Sequence, residues 1–586
     1  MRRTSHAAIG LLVTSLLLAA TAPAVAAAAP EPDRVTEGWR AEPVDWQPCP
    51  ELPDDPGVRC ATLDLPIDWT RPHGPTFPLA IAKRAATGPE PAIGPLLINP
   101  GGPGGSGVNA ALGADQQLSA EVLRRFDVIG FDPRGVARSN AVVCSIDVLA
   151  TGPSPAPASA AGYADLLQFS QRLHEDCRRQ TGPLFDHVDT LDVVRDMDAI
   201  RAALNARQIS YYGLSYGTLI GQMYAERFPD RVRALVIDSN MDHSLGVRDF
   251  LLGQTVGAQE SFEEFAAWCD RDERCALHGR DVLAVFDELM RRADAGDLVD
   301  PGTGTPLDWY ALSGTARTAG YGPAWLSLAE WLAALADTAA DPDGRPGSAD
   351  RTDAERAPAP RPVPAAALTW PAAGVPNDPT ATLTWPAAGA RNDPAADVTG
   401  DPAAGRADGV APPTVVQFPT AILCQDWSLP VRDFAQYSRF LAENRRVAPQ
   451  IRASTLGVLA VAVCLGWSGE VGNPQHRPKV RTNIPLLVLG SRYDPATPYH
   501  WSVAVAKQLG RHGRLVSYLG WGHGAYDRTP CTIGFVDRYL VDRIVPPAGA
   551  SCTPAADPVP AASPRRSEVP PTSTLPTWSG PYAGAA

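Results

Sequence analysis

Gly213-Leu214-Ser215-Tyr216-Gly217 is the stretch that decides the fold of this chain. It follows an apolar, β-prone run at residues 209–212 and precedes a run of helical character at 218–227. This order of strand, tight turn and helix places the serine at the tip of the strand. Glycine is needed two residues before and after the serine, because side chains there would collide with the strand and the helix. An ordinary strand-to-helix turn could carry the same five residues, so the prediction depends on the rest of the chain.

The rest of the chain alternates short strands with helical patterns. Strands are predicted at 58–66, 77–83, 96–99, 126–131, 209–212, 234–237, 484–490 and 514–519. A helix is predicted at 191–204 and another at 499–509, with Thr497 as its cap and Pro498 at its first position. Strands that alternate with helices form a mostly parallel sheet with helices on both faces, so the fold class is α/β.

Two further residues follow late strands in the way Ser215 follows an early one. Asp494 comes after the strand at 484–490, and His523 lies between glycines after the strand at 514–519. A serine hydroxyl needs a base to take its proton, and the base needs an acid to orient it. The chain order Ser, Asp, His is that of an α/β-hydrolase fold, so we predict a serine hydrolase with these catalytic residues. Asp426 and Asp527 are the alternative acids.

The glycine loop, residues 99–107, follows another early strand. The developing oxyanion of such a reaction needs backbone N–H donors, and we predict those of Gly102 and Tyr216. The alternative is a phosphate-binding loop, which would need a Gly-Lys-Ser/Thr ending that the chain lacks here. We therefore expect no cofactor and no metal ion.

Three segments together resemble the secreted tripeptidyl aminopeptidases, which are α/β-hydrolase exopeptidases related to the proline iminopeptidases. They are Asn99-Pro-Gly-Gly-Pro-Gly-Gly-Ser106, Gly130-Phe-Asp-Pro-Arg-Gly-Val-Ala-Arg-Ser139 and Gly213-Leu-Ser-Tyr-Gly-Thr218, and the Asp494 and His523 loops add to them. The resemblance covers about 45–340 and 415–552. It implies the same triad and oxyanion hole, and an ion pair of Asp132 with Arg134 that fixes a loop. Proline iminopeptidases have His where this chain has Pro100, which favours the tripeptidyl branch.

The domain organisation follows from changes in composition. We expect a hydrolase core at 40–240, a helical cap at 241–340, a Pro/Ala-rich linker at 341–412, the rest of cap and core at 413–552 and a disordered tail at 553–586. A duplicated segment in the linker, 368–374 and 383–389, is interpreted as linker expansion, with a sugar- or peptide-binding Trp370–Trp385 clamp as the alternative.

The predicted partners are peptides with a free N-terminus. An exopeptidase of this kind needs an acidic group for the substrate ammonium, and the candidates are Glu263, Glu264, Glu330 and Asp426. The first rival function is a carboxylesterase or lipase with the same triad, since a fold does not fix a substrate. The second rival is a non-catalytic binding protein. The net charge of −13 argues against a nucleic-acid partner.

The N-terminus and the cysteines both indicate export. Residues 1–28 carry two arginines, a short apolar run and a small-residue cleavage site, which together are typical of a signal peptide. No later segment has the length and apolarity of a membrane span, so we expect a secreted protein, with association with the cell wall as the alternative, rather than an integral one.

The ten cysteines suggest disulfides in an oxidising compartment. Short loops favour the pairs Cys49–Cys60 and Cys269–Cys275. Pairs Cys144–Cys177, Cys424–Cys464 and Cys531–Cys552 would complete a local set, although the sequence does not fix the connectivity. The alternative is a zinc site, which lacks Cys-x-x-Cys spacing here.

Overall fold

A computed structural model describes residue 39 and residues 42–338 and 414–554. The expected signal peptide at 1–28 and the linker at 341–412 lie outside the described residues, as does the expected tail beyond residue 554. The strands are β1 (Gln47–Pro48), β2 (Val58–Pro66), β3 (Thr76–Arg84), β4 (Pro95–Asn99), β5 (Asp127–Phe131), β6 (Val143–Ser145), β7 (Ile209–Leu214), β8 (Val232–Asp238), β9 (Val415–Gln417), β10 (Leu486–Tyr493), β11 (Gly513–Trp521) and β12 (Ser551–Cys552).

The α-helices alternate with these strands and also fill the long connection between β8 and β10. They are α1 (Gly107–Leu112), α2 (Ala120–Arg125), α3 (Ile146–Leu149), α4 (Ala160–Thr181), α5 (Thr190–Ala203), α6 (Tyr216–Arg227), α7 (Val247–Arg271), α8 (Val282–Ala295), α9 (Trp309–Ala319), α10 (Trp325–Asp337), α11 (Thr420–Asp426), α12 (Phe434–Val447), α13 (Thr455–Cys464), α14 (Tyr499–Gln508) and α15 (Pro530–Asp542).

Ten strands form one sheet in the order β1-β2-β3-β5-β4-β7-β8-β10-β11-β12. In this order the first three pairs, β1–β2, β2–β3 and β3–β5, are antiparallel. All the following pairs, from β5–β4 to β11–β12, are parallel. Every strand predicted from the sequence is a member of this sheet, and β2 occupies the predicted residues 58–66. The mostly parallel sheet confirms the predicted fold class.

Alternate residues of the parallel strands face two separate cores. In β4, Leu96 and Ile98 pack with α1, α2 and α15 on one face, while Leu97 packs with α5, α6 and α14 on the other. The sheet is therefore buried on both sides, as parallel strands require. Polar side chains collect at the carboxyl ends of the strands, where the chain leaves this apolar sandwich.

A third apolar core lies among the helices that follow β8. Helices α7, α8 and α10 enclose it with Phe262, Phe286 and Trp325. Helix α4, which precedes Ser215 in the sequence and was not predicted, packs on α12 and α13. Its Tyr163 hydroxyl donates to the Val431 carbonyl, 268 positions away. The layer above the carboxyl edge of the sheet is thus built from two distant parts of the chain.

All ten cysteines form disulfides, and the five pairs are those of the local set. Cys144–Cys177 ties β6 to α4, and Cys424–Cys464 ties α11 to α13. Both bonds lie in the helical layer rather than in the sheet. Within the described residues no helix is long and apolar enough to cross a membrane.

Candidate active site

Ser215 stands between β7 and α6 with φ 57° and ψ −122°, a conformation that side-chain-bearing residues rarely adopt. A Cβ at Gly213 would come within 2.4 Å of the Gly217 carbonyl oxygen, and a Cβ at Gly217 within 2.7 Å of the Asn99 carbonyl oxygen. The predicted steric reason for both glycines is therefore confirmed. The turn leaves Ser215 partly exposed at the carboxyl edge of the sheet.

Asp494 and His523 lie together beyond the ends of β10 and β11. His523 Nδ1 is 3.0 Å from both carboxylate oxygens of Asp494, and both side chains are buried. Burial alone would raise the pKa of Asp494, but His523, the Ser239 side chain and the Ala496 N–H outweigh it and place the pKa below its usual value. An ionised carboxylate on Nδ1 fixes the ring and leaves Nε2 to act as a base.

Thr497 does not cap α14, contrary to the prediction. The cap position is Pro498, which makes no side-chain cap bond, and the helix begins at Tyr499. Thr497 Oγ1 lies instead 3.2 Å from Asp494 Oδ2 and 3.4 Å from His523 Nδ1. The hydroxyl lies between Asp494 and His523, so it does not accept a hydrogen bond from the first turn of α14.

Replacing Thr497 with valine is expected to lower kcat by about 10-fold, because a buried hydrogen bond to a charged group contributes about 1.5–3 kcal/mol. Valine keeps the shape of threonine and removes only the hydroxyl, so KM should stay within about 2-fold. Steady-state kinetics measure both constants, and Thr497→Ser, which restores the hydroxyl, should recover the activity. A wild-type kcat in Thr497→Val would contradict this role.

Ser215 and His523 lie on segments that contact each other, and no hydrogen bond joins the two residues in the described part of the chain. In the described part of the chain the Ser215 hydroxyl donates to no imidazole nitrogen, and His523 Nδ1 is taken by Asp494 and Thr497. A Cβ on Gly524 would lie 3.3 Å from Leu214 Cδ1, so the two loops are in contact. Catalytic hydrogen bonds are often long without substrate and tighten when it binds.

Tyr321 covers the imidazole from the helical layer. It lies in the turn between α9 and α10, with its ring centroid 5.0 Å from that of His523. Its carbonyl accepts the His523 N–H at 2.8 Å. The helices after β8 therefore reach the proposed base directly.

The glycine loop lies against the Ser215 turn. A Cβ built on Gly101, whose φ is +87°, would come within 2.9 Å of Ser215 Cβ. The Gly101 N–H donates to Asn99 Oδ1 at 2.9 Å, whereas the N–H groups of Gly102 and Tyr216 have no acceptor among the described residues. Two such donors beside a partly exposed serine are suited to bind an oxyanion.

Asp132 and Arg134 do not form the ion pair with each other that the resemblance implied. Asp132 accepts hydrogen bonds from Ser106 Oγ at 2.5 Å and the Val108 N–H at 3.1 Å, and it pairs with Arg138 at 3.2 Å. It therefore holds the end of the glycine loop where α1 begins.

The Arg134 guanidinium points to α5 instead. It is fully buried and binds both oxygens of Asp196, at 2.7 and 2.6 Å, and Asp192 Oδ2 at 3.3 Å. Its remaining N–H groups donate to the carbonyls of Pro66, Ile67 and His187. The carboxylate of Asp196 lies 62 positions along the chain, so the motif around Arg134 could not reveal its partner.

Asp426 is buried and does not contact His523 within the described residues. Its carboxylate accepts from the Tyr216 hydroxyl, from Thr190 Oγ1 at 2.7 Å and from Asn473 Nδ2 at 2.8 Å. Burial raises its pKa although these donors lower it. Asp426 thus holds the side chain of the residue that follows Ser215. Asp527, the other alternative acid, is 65% exposed and lies 3.9 Å from Arg528.

The three glutamate candidates for the substrate ammonium differ in position. Glu263 and Glu330 are exposed, whereas Glu264 is half-buried on α7. The Glu264 carboxylate lies 3.4 Å from an Arg271 nitrogen, and it helps to raise the pKa of Tyr493, the neighbour of Asp494. Of the three, Glu264 is connected to the loop that carries the acid.

Comparison with known proteins agrees with this fold. Residues 94–330 match the family model of the alpha/beta hydrolase fold, and residues 450–552 match the model described as TAP-like protein. Over 552 residues the chain is 31% identical to Serine protease Hip1 of Mycobacterium tuberculosis, covering 89% of this chain and 92% of that relative. The chain belongs to the α/β-hydrolase family.

Two other relatives carry different names. This α/β-hydrolase is 31% identical over 362 residues to a Tripeptidyl aminopeptidase of Streptomyces lividans, which covers 56% of this chain and 66% of the relative. It is 32% identical over 576 residues to Carboxylesterase B of Mycobacterium tuberculosis, which covers 93% and 97%. The relatives are named as peptidases and as an esterase. These names differ in substrate but agree on a serine hydrolase of the α/β family.

Three residues around the site of this α/β-hydrolase were not predicted, namely Asp238, Ser239 and Tyr321. Asp238 and Ser239 directly follow the predicted strand at 234–237. Polar residues at the carboxyl end of a buried parallel strand are a signal that could have found them. Tyr321 offers no such signal, because its contact depends on how the cap helices meet the sheet.

Proposed function

We propose that this α/β-hydrolase is an exported serine aminopeptidase that releases tripeptidyl fragments from the free N-terminus of peptides. The observation that carries the proposal is the pairing of His523 Nδ1 with Asp494 at 3.0 Å, beside a serine held at φ 57°. A relative named serine protease at 31% identity over most of both chains supports peptide cleavage.

The proposed reaction uses groups that lie at one edge of the sheet. Ser215 Oγ attacks the carbonyl carbon of the scissile amide while His523 Nε2 takes its proton. The oxyanion accepts hydrogen bonds from the Gly102 and Tyr216 N–H groups. His523 then gives the proton to the leaving amine, and a water molecule that it deprotonates hydrolyses the acyl ester on Ser215.

The restriction to a short N-terminal fragment is assigned to the helical layer. Tyr321 lies on His523, and a Cβ on Gly104 would fall 2.3 Å from Pro419 Cβ, so this layer closes on both the base and the glycine loop. We assign the substrate ammonium to Glu264, the half-buried candidate on α7. Five disulfides agree with export, since such bonds persist in oxidising compartments.

A carboxylesterase is the second candidate, favoured by the 32% identity to Carboxylesterase B over 97% of that relative. The same residues would serve, because an ester leaving group needs less protonation than an amine.

A substrate panel separates the two candidates. The protein would be given chromogenic amides of Ala-Ala-Pro, Ala and Pro, each free and N-acetylated, and a series of acyl esters, with enzyme blocked by a fluorophosphonate as the blank. The proposal expects cleavage of the free tripeptidyl amide and a loss of at least about 100-fold on acetylation, because a buried charge pair is lost. Cleavage of esters alone would assign the protein to the esterases.

A further inference from the structure

Two consecutive residues at the end of β8, Asp238 and Ser239, bind the backbone of the loop that carries His523. The three N–H groups that follow the histidine, at residues 524–526, all donate to these two side chains. The distances are 2.9 Å from the Gly524 N–H to Ser239 Oγ, 3.0 and 2.9 Å from the Ala525 N–H to the two Asp238 oxygens, and 2.9 Å from the Tyr526 N–H to Asp238 Oδ2. The loop therefore takes its position from another strand.

The same two residues contact the other parts of the site. Strand β8 lies between β7 and β10, and Asp238 pairs with Leu214 on one side and Leu489 on the other. The Asp238 carbonyl accepts the Ser215 N–H at 2.9 Å. The Ser239 N–H donates to the Leu489 carbonyl of β10 at 3.1 Å, and the Ser239 side chain helps to lower the pKa of Asp494. Serine, acid and base loops are thus joined through one dipeptide.

Neither residue is a favourable choice for stability alone. Asp238 is fully buried, and no Lys, Arg or His of the described residues pairs with it. Burying an ionised carboxylate without a cation is costly, and burial raises the pKa of Asp238 although the Ala525 and Tyr526 N–H groups lower it. Ser239 is buried with a φ of 58°, a conformation that favours glycine. Unfavourable residues that persist at one place point to a role in the site.

We propose that Asp238 and Ser239 are positioning residues, which hold the His523 imidazole against Asp494 and within reach of Ser215. The inference rests on the proposed function in one respect, that His523 is the base of the reaction. Both side chains are fully buried, so we expect them to act through the loop at 522–526 rather than on the substrate. A displacement of the imidazole by about 1 Å would cost on the order of 100-fold in rate.

The decisive variant is Ser239→Gly, because glycine relieves the positive φ and removes the hydroxyl. A kcat about 10- to 30-fold lower than wild type is expected, with KM within about 2-fold. The melting temperature should stay within a few degrees of wild type, because relief of the positive φ offsets the lost hydrogen bond. Asp238→Asn keeps the volume but loses one acceptor oxygen, and its kcat should fall about 100-fold. The matched control is Tyr212→Phe, which removes a 3.1 Å hydrogen bond to Asp238 Oδ2 and leaves the loop untouched. Its kcat should stay within about 2-fold of wild type.

A spectroscopic measurement without substrate makes the test independent of turnover. The far-downfield proton of His523 Nδ1 should be visible in the wild type and in Tyr212→Phe, and broadened or lost in Ser239→Gly and Asp238→Asn. Wild-type kcat and an unchanged resonance in those two variants would overturn the proposal. So would a loss of melting temperature in Asp238→Asn with an unchanged kcat per folded molecule. If the wild type cleaves no amide or ester, the proposed function fails, and the resonance still decides the positioning role.

Discussion

Replacement of Ser215 by alanine is expected to lower kcat/KM by about 10⁴- to 10⁶-fold, the size of effect that removing the nucleophile of a serine hydrolase has. Alanine keeps the Cβ that the turn already accommodates at φ 57°, so the fold should be unchanged. The residual rate would come from the N–H donors of Gly102 and Tyr216, which can still polarise the carbonyl.

Two measurements check this prediction. Turnover of the best amide or ester gives kcat/KM, and a fluorescent fluorophosphonate reports covalent reaction at the serine. The control is Ser428→Ala, an exposed serine outside the site, which should label and turn over like wild type. Labelling of Ser215→Ala, or a rate above about 1% of wild type, would show that another residue is the nucleophile.

Replacement of Arg134 by methionine is expected to lower the free energy of unfolding by about 3–5 kcal/mol. The guanidinium is fully buried, and its loss would leave Asp196 buried without its cation, whereas Asp192 would keep its pair with Arg195 at 2.6 Å. Asp196 also accepts a hydrogen bond from Trp69 Nε1 at 2.9 Å, so its carboxylate cannot turn away without a further loss. Methionine fills much of the volume, so the effect measures the missing charge rather than a cavity.

Urea unfolding followed by fluorescence, with the disulfides intact, measures the free energy of unfolding. Arg178→Ala is the matched control, since Arg178 is 60% exposed in its pair with Asp186 and should change that free energy by less than about 1 kcal/mol. The double variant Arg134→Met, Asp196→Asn should recover part of the loss because it removes the unpaired charge. If Arg134→Met lowered the free energy of unfolding by less than about 1 kcal/mol, the buried ion pairs of Arg134 would not have the expected effect on stability.

The sheet was predictable because its signal is local. A buried strand shows as a run of apolar residues, and β2, β4 and β8 lie within a few residues of the stretches found in the sequence. The Ser215 turn was predictable for a steric reason, since side chains two residues before and after the serine would collide with neighbouring backbone. The five disulfides join cysteines no more than 40 positions apart, which a set of local pairs captures.

The helical layer and the support of the site were not predictable in the same way. Helix α4 shows apolar residues three or four apart at Tyr163, Leu166 and Phe169, but the surfaces that bury them belong to α12 and α13. Arg134 lies in a turn after β5, and its partners Asp192 and Asp196 lie on α5. Thr497 precedes a proline and a helix, as a helix cap does, yet its hydroxyl lies against Asp494 and His523. Each miss is a contact between distant segments, which no local pattern encodes.

The hydrogen bond from Tyr216 to Asp426 joins residues 210 positions apart, so the site cannot be complete before both parts of the chain have been made. A polypeptide leaves the ribosome N-terminus first, so β7 and the Ser215 turn are made long before α11 supplies Asp426 and before β11 delivers His523. Strand β6 likewise cannot pair until β9 is made, since these two strands form a second, two-stranded sheet. If His523 is the base, as proposed, a hydrolase assembled in this order is expected to stay inactive until the C-terminal part of the sheet has folded.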